Sequence, residues 1–332
     1  MKMQMPALFR DRPPEHTNEM IPGPPARASA PVLVAALSVA LAACGGSTPA
    51  TERTQEPAGS SDTPRTSSAS ASPQDEDLPR IALPVEPGET VEGLVDVGGH
   101  DIYARCAGEG SPTIVYFTGW AEDRTKRGVA IASGIEDALG SEVRVCSYER
   151  RNTGRSETVD GTQSPEDVMG DVDGLLAALD EDGPFLLLGS SFGGLVASAY
   201  AVAHPDRVAG IVLLDASTGV DYDIDEMHGF QGACLEANRR ADAFDSQEKL
   251  DNCSLAEWIH DHRDLEPDVP LLYLAAQDPS GRGEEADDPI RQAWVDSWAP
   301  GTWRVVTAPH WMDEADRRLV ADAVREVIET IK

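Results

Sequence analysis

The sequence predicts an α/β protein: a doubly wound, mostly parallel sheet of about eight strands with helices on both faces. Three observations carry this: alternation, unbroken hydrophobicity within the strands, and one glycine-framed turn. Short apolar β-branched runs such as TIVYFT (113–118) and VRVCSY (143–148) alternate with stretches of helical periodicity such as DVMGDVDGLLAALD (167–180). Unbroken rather than alternating hydrophobicity is what a strand covered on both faces requires. The third observation is LLLGSSFGGLVASAY (186–200), in which an apolar run passes into a helix-like run through a glycine-framed serine.

Taken in order, residues 1–44 read as a targeting segment. Arg27 precedes the apolar run 31–43, which is too short to span a bilayer as a helix and suits a signal h-region. The run ends in Leu41, Ala42, Ala43, Cys44, Gly45 and resembles the lipobox of bacterial lipoproteins, which implies lipid on Cys44, export and anchoring on the extracytoplasmic face. The polar lead before Arg27 is long, and a start at Met20 gives a more usual signal. Residues 45–79 are rich in Ser, Thr, Pro, Ala and Gly and cannot bury enough apolar surface to offset their ordering entropy, so a disordered tether is expected. The folded domain then occupies 80–332.

The 332 residues carry 58 Asp and Glu against 27 Lys and Arg, a formal net charge of −31. A phosphate backbone is repelled by such a chain, which excludes nucleic-acid binding as its business. It also leaves the lipid on Cys44 as the expected contact with a membrane. Four further cysteines, Cys106, Cys146, Cys234 and Cys253, permit two disulfides in an exported protein, in three possible pairings. None has metal-type spacing, and His228, His260 and His262 read as solvated loop residues, so neither metal nor cofactor is expected.

Within the domain, strands are expected at 101–107, 113–118, 143–148, before the serine, at 207–214, 269–275 and 302–307, with only a weak pattern over 84–99. Helices are expected at 128–139, 167–180, from the serine to about His204, at 288–298 and at 313–331. The alternation pauses over about 217–266, read as an inserted cap after the sixth strand. Gly189, Ser190, Ser191, Phe192, Gly193 fits GxSxG, in which a strand turns abruptly into a helix and holds the central serine in a strained conformation. Only Ser191, not Ser190, has glycines at both minus two and plus two.

TIVYFTGW (113–120), VCSYERRNTGRS (145–156), PFLLLGSSFGGLVASAYAVAHPDRVAGIVLLDAS (184–217) and PHWMDEADRRLVADAVREVI (309–328), in this order, resemble the α/β-hydrolase fold family from about Val91 to Lys332. The resemblance implies a nucleophile, acid, base order along the chain. Ser191 is the expected nucleophile, and His310, between the last strand and the last helix, the expected base. Asp278 follows PLLYLAAQ at the family's usual acid position and is favoured over Asp215, which follows IVLLD and is read as a structural acid capping a loop. Backbone amides of Phe192 and Trp120 are the implied oxyanion donors, although Thr118 stands where relatives commonly have His. The likeness also sets the second and fourth strands side by side, which implies the bonds Cys106 to Cys146 and, within the cap, Cys234 to Cys253. The implied activity is hydrolysis of a small or medium carboxylic ester through an acyl-serine. An amide, peptide or lactone substrate on the same residues, or a non-catalytic binding protein on this scaffold, are the alternatives. Trp311, beside His310, is a candidate pocket residue.

Overall fold

The computed structural model describes residues 78–120, 128–223, 248–277 and 288–331. The signal and tether readings, Asp278, Cys234, His228 and much of the cap fall outside these residues. Among the described residues no helix is long and apolar enough to cross a membrane.

Eight strands form one sheet in the order β1-β2-β4-β3-β5-β6-β7-β8. The strands are β1 (Val91–Asp96), β2 (Asp101–Ala107), β3 (Thr113–Phe117), β4 (Arg144–Glu149), β5 (Phe185–Ser190), β6 (Val208–Leu214), β7 (Leu271–Gln277) and β8 (Gly301–Thr307). β2 pairs antiparallel with β1 and β4; every other pair is parallel. The weak pattern before Gly99 is therefore a strand. Its inward residues, Val91, Gly93 and Val95, alternate with outward Glu92 and Asp96, as an antiparallel edge demands.

The central strands are covered on both faces. On β3, Val115 and Phe117 enter one core while Ile114 and Tyr116 enter the other, and on β5 Leu187 opposes Leu186 and Leu188 in the same way. Helices α2 (Pro165–Ala178) and α3 (Phe192–Ala203) contribute Leu175, Leu176, Leu195 and Val196 to the first core. Helix α1 (Gly128–Leu139) and the last helix, α7 (Arg317–Ile331), contribute Ile135, Val320, Val324 and Val327 to the second. The segment 313–331, expected as one helix, is broken at Asp316 into a single turn, α6 (Met312–Ala315), and α7. Helices α4 (Asn252–Asp261), in the expected cap, and α5 (Asp288–Asp296) complete the set.

Helix α2 starts two residues before its expected position because Ser164 caps it: its hydroxyl accepts from the Asp167 amide while Asp167 reaches back to the Ser164 amide. That backbone N–H, foremost, holds the Asp167 carboxyl below its usual range. Cys106 and Cys146 face each other across β2 and β4 and are bonded, with Cα atoms 4.1 Å apart. Cys253 is disulfide-bonded as well, although its expected partner is not among the described residues.

Candidate active site

The site lies beyond the carboxyl ends of the central strands, where open α/β sheets hold their ligands. Ser190 closes β5 and Phe192 opens α3, so Ser191 makes the whole turn, at φ 50° and ψ −125°. Positive φ is costly for a non-glycine residue and persists only where surroundings hold it. Here they do: the Ser191 amide donates to Leu214 O at 3.0 Å, and Ser191 O accepts from Gly194 N at 2.9 Å and Ser217 N at 3.0 Å. The hydroxyl is left aimed outward from the strand end.

The glycines are explained by space. A Cβ on Gly189 would lie 2.6 Å from Gly194 Cα, and one on Gly193 would lie 2.6 Å from Thr118 O and overlap Phe117 O. Gly193 thus lets the start of α3 press against the end of β3. Gly194, next to the GxSxG pattern, is as constrained: its added Cβ would overlap Ala216 after β6.

His310 follows β8, in the turn before α6. Its Nε2 is 2.9 Å from Ser191 Oγ, and its Nδ1 is 2.6 Å from Asp215 Oδ2. The aspartate that meets the histidine is thus Asp215, expected only to cap a loop, while Asp278, the expected acid, lies outside the described residues. Sheet order supplies the reason. β6 is the immediate neighbour of β5, with Ser190 registered against Leu214, so the residues that follow, Ser191 and Asp215, emerge side by side. β7, which Asp278 follows, is one strand further away. Asp215 is itself held at φ 44°, its amide donating to Leu274 O at 2.8 Å, and its Oδ1 accepts the Ala276 amide at 3.0 Å. One carboxylate oxygen is anchored to β7 and the other is presented to the imidazole.

The turn carrying His310 is pinned from below. Met312 is fully buried, and the buried Tyr116 hydroxyl on β3 donates to Asp313 Oδ2 at 2.7 Å. Burial, and next the Asp313 charge, push the Tyr116 phenol well above its ordinary pKa, so it stays a donor. Trp311 is 60% exposed beside the histidine.

Trp120 and Phe192, expected as oxyanion donors, come together: their rings meet edge to face with centroids 5.1 Å apart. Behind them lies a residue the sequence reading did not single out. Arg150, directly after β4, sends Nη1 to Thr118 O at 2.6 Å and Nη2 to Gly119 O at 2.9 Å, and pairs through Nε with the buried Glu248. The run VCSYERRN gave one signal, an arginine at the end of an apolar strand, where a charge is tolerated only if paired.

Of the histidines expected as solvated loop residues, two are described and both are engaged: His260 pairs with Asp223 at 2.9 Å and His262 Nδ1 lies 2.7 Å from Trp258 O. Among the described residues one grouping has the composition of a metal site, Cys106, Cys146 and Glu181, but its two sulfurs are bonded to each other.

A strained serine at the end of a central strand, with a histidine and an aspartate in line behind it, can be compared with known proteins. The chain matches the alpha/beta hydrolase fold over residues 112–323. It belongs to that family. The 2-hydroxymuconate semialdehyde hydrolase of Pseudomonas sp. (strain CF600) is 32% identical over 177 residues, which are 52% of this chain and 58% of that protein. Lipase LipV of Mycobacterium tuberculosis is 45% identical over 60 residues, 18% of this chain and 23% of that one. The chain thus spans little more than half of the first relative's length and about a quarter of the second's. Among solved structures, the enol-lactonase of Burkholderia xenovorans LB400 aligns over 71% of this chain and 99% of its own at 21% identity and a TM-score of 0.48.

Proposed function

We propose that this α/β hydrolase is a serine hydrolase that cleaves small or medium carboxylic esters through an acyl-serine intermediate. The observation that carries the reading is the continuous chain Asp215 Oδ2, His310, Ser191 Oγ, with links of 2.6 and 2.9 Å and the serine held at positive φ. The partial relatives, named as a hydrolase and a lipase, agree with it.

An alcohol is a weak nucleophile at neutral pH and needs a base. Ser191 Oγ attacks the ester carbonyl while His310 Nε2 takes its proton. Asp215 accepts from Nδ1–H, which fixes the tautomer that leaves Nε2 free to act as base, and its negative charge steadies the imidazolium. The oxyanion of the tetrahedral intermediate is bound by the Phe192 and Trp120 amides, the former at the N-terminus of α3. His310 then returns its proton to the departing alcohol. Water then attacks the acyl carbon as it gives a proton to His310, and the second tetrahedral intermediate collapses with cleavage of the acyl–Oγ bond while His310 returns the proton to Ser191 Oγ, releasing the acid. Positioned donors of this kind are each worth roughly 10²–10³ in rate.

The remaining part of the proposal concerns place: export, with lipid on Cys44 and residues 45–79 holding the domain away from the membrane. Its support is the LAACG run and the tether composition. A series of p-nitrophenyl esters, assayed with the native chain and Ser191→Ala, tests the chemistry. Turnover by the native chain that disappears in the variant is the expected result; no turnover of any ester, or turnover that survives in the variant, refutes it.

A further inference from the structure

The mechanism above makes no use of Arg150. Its side chain is buried, the residue being only 3% exposed, and burying a guanidinium is expensive unless every donor finds a partner. The partners are specific. Two neighbouring nitrogens take the carbonyl oxygens of two consecutive residues, Thr118 and Gly119, at 2.6 and 2.9 Å. Nε takes the carboxylate of Glu248, and the guanidinium carbon sits 5.2 Å from the centre of the Phe192 ring. The backbone of Arg150 is itself fixed, its carbonyl accepting from the Thr153 amide at 3.0 Å and the Thr153 hydroxyl at 2.7 Å.

The Gly119 carbonyl and the Trp120 N–H belong to one planar trans peptide and point in opposite directions. Fixing the direction of that oxygen fixes the direction of that N–H. Gly119 has no side chain to restrain the peptide, and Thr118 follows the last residue of β3, so the sheet ladder does not hold this plane. The planar fork of a guanidinium, with donors at set angles, does what a single point charge cannot.

We propose that Arg150 is a positioning residue: by clamping the Thr118 and Gly119 carbonyls it aims the Trp120 amide at the reacting oxyanion. Glu248 makes the burial of its charge tolerable and ties the clamp to the expected cap. The inference rests on the acyl-serine reading and deepens it. Glu248 is fixed in turn, its carbonyl accepting from Asn152 Nδ2 at 3.1 Å and Gln163 Nε2 at 2.5 Å. One buried ion pair, Arg150 with Glu248, therefore links the expected cap to the loop that carries Trp120.

The test compares native chain, R150K and E248Q on a p-nitrophenyl ester and on a trifluoromethyl ketone, which places an oxyanion where the intermediate's would be. If the native chain turns over no ester and is not labelled by a fluorophosphonate at Ser191, the acyl-serine reading itself fails. With native turnover in hand, R150K, whose ammonium cannot hold two carbonyls as a fork, lowers kcat tenfold or more with KM within twofold. Ketone affinity falls by a matching factor. E248Q, which keeps an acceptor on Nε but leaves the guanidinium charge uncompensated, lowers kcat less than R150K does; a larger loss than in R150K overturns the proposal. A kcat loss in R150K smaller than tenfold, a loss carried by KM, or unchanged ketone affinity overturns the proposal. Should R150K not fold, the double variant R150M/E248M, which removes both charges at similar volume, is held to the same criteria.

Discussion

At the scale of single residues, the proposed nucleophile and base stand out in the sequence because each occupies a junction with a chemical reason. Ser191 alone had glycines at both flanking positions, and His310 alone of seven histidines fell between the last strand and the last helix. The acid was not readable. Asp215 and Asp278 both follow apolar strand-forming runs, and what separates them is lateral order in the sheet, which no local pattern encodes. Asp215→Asn is a clean probe because asparagine also tolerates the left-handed backbone that position 215 adopts at φ 44°. We expect it to lower kcat by roughly 10³–10⁴ through the wrong imidazole tautomer, with Asp278→Asn within a few fold of native. Steady-state kinetics on one ester decides it, and the reverse ranking restores Asp278 as the acid.

At the scale of elements, strands buried on both faces announced themselves, whereas the edge strand β1 did not. Its alternation spans only six residues and includes Gly93, so its apolar side is thin. The start of α2 lies ahead of its apolar periodicity because Ser164 and Asp167 form a capping box there, and the break at Asp316 falls in the charged run 313–318, before the apolar spacing begins at Leu319. The elbow glycines give a second prediction. Gly193→Ala forces a methyl against the Phe117 and Thr118 carbonyls, which displaces the nucleophile and the loop bearing Trp120 together. Activity should drop at least a hundredfold and the melting temperature fall; native activity in this variant would mean that α3 and β3 do not approach so closely. The Cys106 to Cys146 bond closes a separation of 40 residues, for which loss of chain entropy in the unfolded state is worth about 4 kcal/mol. Replacing both cysteines by serine should lower the melting temperature by about 10 °C without changing KM. An unchanged melting curve would show that the bond adds nothing.

At the scale of the molecule, the sheet order does the assembling. β3 and β6 flank β5, so the loop with Trp120, the elbow with Ser191 and the turn with Asp215 emerge from three adjacent strands. His310 arrives from β8, steadied by Tyr116 and Asp313, a contact 197 residues apart in sequence that no motif announces. Such long-range meetings, like the Arg150 clamp, are what a reading of local pattern leaves out. The acidic domain, with a net charge of −31 over the chain, should not adhere to anionic membranes by its surface. Cys44→Ala should therefore release the protein from the membrane fraction on cell fractionation; retention of the variant there would place the anchor elsewhere.

The central claim, that Ser191 is a nucleophile activated by His310 and Asp215, is tested most directly by fluorophosphonate labelling followed by mass mapping. The account predicts a single adduct on Ser191, absent in Ser191→Ala and formed far more slowly in Asp215→Asn than in Asp278→Asn. Absence of labelling in the native chain, or an adduct that persists in Ser191→Ala, would contradict it.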